Sequence, residues 1–434
     1  MNVKAETVRK YVLNCLEDGT FSEGMRLPGS WKISEKLNIS RTVVQKALNT
    51  LVNEGILKAA PRSGLYVEEN WKYRRIQGSL RIYTPNQLPW LPMFRAELKW
   101  DLPQLHISSA FRECPFEIIT TSAAQTRHYE FIDLMPNLKK YYPDLTLFHT
   151  ELLNPFIRDG RLTALPFLFS PRIIACNRRM LAEAGCPEPS PEWTLDDLMN
   201  LAAQLGKHYP PEKIFDWSVN ILLWMNFILA CGGRLFDLSA SDPVKFDSPE
   251  AKKGLKYFRS LRSVRSISDE QDTARCALSI ISRQFYALKL HKTHENDFLF
   301  LPFPGDSPDR TGSSIQATEL FAIRRDGVDH GISGPIIRFL WSEKFQDHLA
   351  ELRYGIPIRK SSAEKAFSAG NPADVVFKQA CARICSSYQL CNVNIQNLIT
   401  SGIGKILKGD GNIDRELSKL AQTVRLYINY TDIG

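Results

Sequence analysis

Apolar positions in the first 70 residues follow a helical period three times over. Val8, Val12, Cys15 and Leu16 form one stripe on a helix predicted over residues 4–17, which Asp18-Gly19 ends. After Met25-Arg26-Leu27-Pro28, Ser30 is placed to cap a short helix that turns Ile33 and Leu37 inward. Ser40 is placed to cap a third helix, on which Val44, Ala47, Leu48 and Leu51 make one buried stripe until Gly55 stops it. Two short helices joined by Leu37-Asn38-Ile39-Ser40 make a helix-turn-helix. The period then shortens: runs at 56–60 and 65–68 read as strands joined by Pro61-Arg62-Ser63-Gly64, a hairpin wing.

A charged connector, Glu69 through Arg75, separates this module from a second pattern. A strand at 80–83, a helix at 91–100, a strand at 105–108 and a helix ending near Tyr142 alternate, and alternation of this kind predicts an α/β body. The most apolar stretch, residues 221–231, carries Asn226 and is half the roughly 20 residues that a membrane span needs, so no membrane partner is expected.

Length and composition narrow the class. At roughly 150 residues per domain, 434 residues suggest about three packed units, or a small domain before a two-lobed one. With 44% hydrophobic and 24% charged residues, disordered, collagen-like and coiled-coil readings fall away. Residues 1–75 hold 13 Lys and Arg against 8 Asp and Glu, a net +5 of the chain's +8, so the small module suits an anionic partner. Nine cysteines, an odd number, fit reduced thiols, and Cys381 and Cys385 could share a helix face with no metal-ligand spacing beyond them. The first residues lack a basic segment followed by an apolar one, and a cytoplasmic protein is expected.

The outward face of the third helix, with Arg41, Thr42, Gln45 and Asn49 after Ser40, carries types suited to phosphates and base edges in a major groove. Arg62 and Gly64 stand at the wing tip. The ordered series Gly24-Met25-Arg26-Leu27-Pro28, Ile39-Ser40-Arg41-Thr42-Val43-Val44, Ala47-Leu48, Glu54-Gly55-Ile56-Leu57 and Gly64-Leu65-Tyr66-Val67 resembles the winged-helix domain of GntR-family transcription regulators. The resemblance implies operator DNA as partner, bound by a homodimer, with Arg41 and Thr42 at the start of the recognition helix and Gly64 at the wing; the outward face and the wing tip add Ser40, Gln45, Asn49 and Arg62 as candidate DNA contacts. Trp31 and Gln45 stand where the family usually has basic residues. Gln45 could read adenine, and Trp31 either packs on the sugar-phosphate backbone or fills a crevice.

The body resembles the family 1 extracellular solute-binding proteins, a type II periplasmic-binding fold of sugar importers. The matching stretches are Pro143-Asp144-Leu145-Thr146-Leu147, which looks like the family's strand at the cleft, residues 159–167, Asn177-Arg178-Arg179-Met180-Leu181 with Ala184-Gly185, and Trp193 through Leu198. The series continues in the same order through Cys231-Gly232-Gly233, Phe246-Asp247-Ser248-Pro249, Leu301 through Gly305 and Ile356 through Ser361. The expected fold is therefore α/β, an N-terminal winged helix-turn-helix over residues 1–75 and a two-lobed periplasmic-binding-protein-like domain over 76–434. One lobe is expected at about 78–169 and 304–353, the other at 170–303 and 354–434. The resemblance implies a cleft with Asn86, Gln87, Phe148, His149, Glu151, Trp217, Asn220, Trp224, Arg283, Gln284, Phe285, Gln396 and Asn397. Aromatic faces for sugar rings, with amides and carboxylates for hydroxyls, suit a saccharide effector.

Two alternatives stand beside this reading. Some GntR-type regulators carry an aminotransferase-like body holding pyridoxal phosphate, and a sugar-binding protein without a regulatory role is the other. Gly402-Ile403-Gly404-Lys405 lacks the order of a phosphate loop and reads as helix and turn, and His291 and His294 form no metal motif. The expectation is a ligand-responsive regulator that is not an enzyme and has no cofactor.

Overall fold

Helices that each bury one face build the amino-terminal module. In the computed structural model, which describes residues 3–53, 55–61, 63–69, 71, 80–83, 88–98, 105–108, 116–262, 276–290, 295–325, 333–385 and 393–430, helix α1 spans Val3–Glu17, α2 Ser30–Leu37 and α3 Arg41–Asn53. Val8, Val12, Leu16, Ile33, Val44, Leu48 and Leu51 meet in one core, which Trp71 closes at 1% exposure. Asn38 ends α2 in the left-handed conformation at φ 51°, which an Asn tolerates better than most residues, and so turns the chain into α3. Strands β1 (Leu57–Ala60) and β2 (Gly64–Val67) pair antiparallel in the register Leu57↔Val67 to Ala60↔Gly64. A bridge between Arg26 and Tyr66 adds an edge to this wing. Ser30 is not the cap of α2 but its first residue; Gly29 takes the cap position, without a side-chain bond.

The chain divides into two compact units: Met1–Asn86, Leu91–Glu117 and Ile323–Phe339 form one, and Gln87–Trp90, Ile118–Ala322 and Leu340–Gly434 the other. Besides the winged helix, the first unit contains β3 (Leu80–Tyr83), the helix α4 (Leu91–Leu98), and β4 (Leu105–Ser108), with β3 parallel to both β4 and the start of β5 (Phe116–Thr120).

In the second unit α5 (Thr121–Thr126) follows β5, and a fully buried strand β6 (Leu165–Ser170) leads through Pro171 into β7 (Arg172–Asn177). Proline has no N–H for a ladder, so one strand ends there and another begins. Strand β7 lies between β8 (Leu278–Ser282) and β9 (Phe298–Pro302), antiparallel to both. Strand β6 lies between β10 (Ala317–Ile323) and β11 (Ile356–Pro357), also antiparallel to both. One run of chain thus serves two sheets. Helices α6 (Ile221–Ala230) and α7 (Pro249–Ser260) approach closely at Gly254, where a Cβ would fall 2.4 Å from the Phe227 carbonyl oxygen. Helices α8 (Pro372–Cys381), α9 (Val393–Lys408) and α10 (Ile413–Tyr430) complete the unit. The glycine run at 402–404 lies inside α9, a helix as expected.

Two further expectations are corrected. Leu145–Leu147 is a 3-10 turn rather than a strand, because the Asp144 carboxylate accepts both the Thr146 N–H at 2.9 Å and the Thr146 hydroxyl. Cys381 and Cys385 share no helix face: the helix ends at Cys381, and Ile384–Cys385 pairs in parallel with Ser314–Ile315. Gly305 accepts from the Leu195 N–H at 2.7 Å, beside the helix at Leu195–Leu205. Ile356 and Pro357 ladder with β6.

Glu319 on β10 accepts the Trp90 indole N–H at 3.0 Å. Burial pushes its carboxyl up to about 7, against the opposing hydrogen bonds of Trp90 and Tyr354. Between the ordinary value of 4.5 and about 7 the folded chain holds a proton that the unfolded chain releases, so stability falls as pH rises through that window. We predict that Glu319→Gln flattens this loss, its advantage over wild type growing by about 2–3 kcal/mol from pH 4.5 to 8. Denaturant midpoints across pH check it; parallel curves for the two proteins would refute it.

Candidate functional site

The buried stripe of α3 leaves Arg41, Thr42, Gln45 and Asn49 exposed, and Ser40 is exposed just before the helix. Gln45 Nε2 donates to Asn49 Oδ1 at 3.0 Å, one turn further on. Gly64 opens β2 at φ +112°, and a Cβ there would fall 3.1 Å from Arg26 Nε, so the Arg26 side chain lies against the tip of the wing. Arg62 lies outside the described residues. Arg26, Lys32, Arg41, Lys46 and Lys58 are exposed cations, none ion-paired among the described residues. Arg26 escaped the sequence reading because it was taken only as part of a motif; its bridge to Tyr66 ties it to the wing. Trp31 is 53% exposed, so it fills no crevice, and the Lys32 ammonium lies 5.6 Å from its ring centre.

The residues expected in a ligand cleft separate into three groups. Four are committed to the interior. Trp217 stacks on Phe258 at 5.5 Å and donates its indole N–H to the Phe258 carbonyl at 3.0 Å. Trp224, on a helix apolar on nearly every side, donates to the Val219 carbonyl at 3.2 Å. Phe148 is packed 4.2 Å from the Trp341 ring with the Arg359 guanidinium 5.5 Å above it. Arg283 is fully buried, its Nη1 2.7 Å from Asp374 Oδ1, with the Ala366 carbonyl accepting from Nη2 and the Phe367 ring 5.1 Å away. Burial pulls its pKa down and Asp374 pushes it back up. Trp217, Trp224 and Phe148 have their apolar surface covered, with both indole N–H groups engaged, and Arg283 is buried and ion-paired although its Nε finds no hydrogen-bond partner among the described residues, so none of the four presents an exposed surface.

The members of the second group are half-buried or exposed. His149 Nδ1 and Glu151 Oε1 pair at 2.9 Å, with the imidazole edge-on to Phe169. Gln396 on α9 donates to the hydroxyl of Ser122 on α5, and Asn397 is exposed beside it. Ser122 went unrecognised in the sequence, although the strand-like Phe116-Glu117-Ile118-Ile119 before Thr120 and Thr121 marks a strand end. The Thr121 hydroxyl, next to Ser122, and Gln284 Oε1 are buried and find no hydrogen-bond partner among the described residues. Asn220 caps α6 by accepting the Leu222 N–H at 2.9 Å, and Phe285 is half-buried against the cluster of Tyr286, Phe300 and Phe377. The third group, Asn86 and Gln87, lies outside the described residues, as do His291, His294 and Cys391.

Two cavities open elsewhere in the second unit. One of about 690 Å³ is lined by Met199, Pro211, Ile214, Tyr257 and Leu261 among others, and one of about 490 Å³ by Gly232, Gly233, Arg383 and Cys385. None of the expected cleft residues lines either. Among the described residues no group of His, Cys, Asp and Glu could hold a metal ion, and no helix is long and apolar enough to cross a membrane.

Residues 4–67 match the family of bacterial regulatory proteins, gntR family. No curated protein matches the chain in sequence. Solved structures similar to it include an ABC transporter solute-binding protein of Thermotoga lettingae bound with α-D-tagatose, at a TM-score of 0.67 and 16% identity, covering 80% of this chain and 98% of that one. The UgpB protein of Mycobacterium tuberculosis, in complex with glycerophosphocholine, aligns at 0.66 and 13% over 81% and 99% of the two chains. An ABC substrate-binding protein of Listeria monocytogenes in complex with cycloalternan aligns at 0.65 and 13% over 81% and 98%. At these identities the likeness is one of fold. The chain therefore joins a GntR-type winged helix to a periplasmic-binding-protein-like body, in place of the aminotransferase-like body weighed as an alternative.

Because Arg41 is exposed at the start of α3 with no carboxylate partner, we predict that Arg41→Ala weakens binding to every duplex alike. The slope of log affinity against log salt should fall by about 0.9, one phosphate's share. Fluorescence anisotropy over a salt series checks this; an unchanged slope would place Arg41 away from the phosphates.

Proposed function

We propose that the protein is a ligand-responsive transcription regulator of the cytoplasm, whose winged helix binds operator DNA as a homodimer and whose body binds a saccharide. The observation that carries this reading is the presence in one chain of a GntR-type winged helix and a solute-binding fold. A sugar-binding protein without a regulatory role would leave the exposed face of α3 without a purpose. Dimeric winged helices bind half-sites spaced by about one helical turn or a multiple of it, so the operator is near-palindromic.

A neutral saccharide is favoured by the chemistry that remains available. Arg283, the cation expected to meet a charged ligand, is neutralised by Asp374. Ser122, Gln396 and Asn397 offer hydroxyl and amide groups, and the buried Thr121 hydroxyl has no hydrogen-bond partner among the described residues; hydroxyls and amides both donate and accept, as sugar hydroxyls require. A ligand seated there displaces the Gln396–Ser122 bond and must offer bonds in its place. The two similar proteins holding α-D-tagatose and cycloalternan share the fold, while the one holding glycerophosphocholine shows that the fold also accepts a phosphodiester.

Binding to the folded state alone stabilises it by about 2.7 kcal/mol at a hundredfold excess over Kd. A thermal-shift panel of neutral sugars, sugar phosphates, amino acids and organic acids should therefore show a raised midpoint with neutral saccharides, reduced in Gln396→Ala. Stabilisation by charged metabolites alone would overturn the saccharide reading.

A further inference from the structure

We infer that Asn49 fixes the orientation of the Gln45 side-chain amide, and that the pair reads adenine at one position of each operator half-site. This rests on the DNA-binding reading above and assigns it a base. The two residues lie one turn apart on the exposed face of α3, and Gln45 Nε2 donates to Asn49 Oδ1 at 3.0 Å. A primary amide has two N–H groups. With the N–H trans to Oε1 given to Asn49, as the inference requires, the other lies on the same edge as Oε1. That free edge presents one acceptor beside one donor, the complement of adenine's N6–H and N7 in the major groove. Guanine offers two acceptors there, O6 and N7, and would face Oε1 with a second acceptor.

Without Asn49 the amide can rotate by half a turn and exchange donor for acceptor at almost no cost, which blurs the base it selects. Asn49 is thus a positioning residue, acting through Gln45. Arg41 and Thr42, at the helix start, are left to phosphates and neighbouring bases.

The test is selection of bound sequences from a randomised duplex library by the full-length protein and three variants, with affinities measured for the enriched sites. Wild type should enrich adenine at one position per half-site, and Gln45→Ala should lower that preference by roughly 5- to 150-fold, the discrimination that one bidentate pair supplies. Gln45→Glu, an acceptor alone, should shift the position toward cytosine. Asn49→Ala should relax the same position by about threefold, leaving the rest of the motif in place, whereas Asn49→Asp, which keeps the acceptor toward Nε2, should retain adenine while binding all DNA more weakly. Enrichment of guanine at the Gln45-dependent position, or an Asn49→Ala profile equal to wild type, would overturn the inference while leaving DNA binding intact. Absence of any enriched motif for wild type would instead overturn the DNA-binding reading on which it stands.

Discussion

Four apolar side chains on one face of α3, Val44, Ala47, Leu48 and Leu51, must reach the core, and that requirement decides what the opposite face can offer. With 3.6 residues per turn, burying this stripe turns Arg41, Thr42, Gln45 and Asn49 to solvent together. The core that receives the stripe is small, so the remaining elements of the module serve it directly. Helix α1 supplies Val8, Val12 and Leu16, and Trp71 covers the base. The wing is held by the strand pairing of β1 with β2 and by the bridge at Arg26. A residue that rotated α3 by one position would scatter the polar face and expose the stripe, so recognition chemistry and stability here share one constraint.

In the body the corresponding constraint is the run from Leu165 to Asn177, which leaves one sheet and enters another at Pro171. Side-chain hydroxyls replace the ladder around that break. The Ser170 hydroxyl accepts the Arg283 N–H at 2.8 Å, and the Ser314 hydroxyl accepts the Arg172 N–H at 2.9 Å. The buried pair of Arg283 with Asp374 then ties the end of β8 to α8, and Arg353 reaches the other carboxylate oxygen at 3.3 Å. A buried charge pair of this kind adds little net stability, but removing one partner leaves the other uncompensated, so it holds the local arrangement to one geometry. An arginine so committed cannot also meet a ligand.

The head was legible in the sequence because its signals are local: helical stripes, an Asn able to turn left-handed at residue 38, and a glycine at the end of a two-strand wing. The alternating body and the strands at residues 80–83 and 105–108 were legible for the same reason. The ligand residues were not, because a tryptophan's role depends on what packs over it from far along the chain. Trp217 meets Phe258, and Phe148 meets Trp341, across long sequence separations that no periodicity records. The pairing of Arg283 leaves no local signal either, since its partner Asp374 is 91 residues away. Ser122 and Gln396, 274 residues apart, come together only through the fold. The turn at Leu145 shows the opposite failure, in which a local Asp-Thr interaction overrode an apparent strand.

On the proposed function, one chain couples a DNA-reading head to a ligand-binding body. Coupling of that kind is reciprocal: if the ligand changes operator affinity by some factor, the operator must change ligand affinity by the same factor. The direct measurement is calorimetric titration of the full-length protein with its saccharide, with and without saturating operator duplex, beside operator binding with and without saturating saccharide. The account predicts equal factors from the two experiments, typically between 5- and 150-fold. A saccharide that binds with the same affinity in both conditions, and leaves operator binding unchanged, would contradict it.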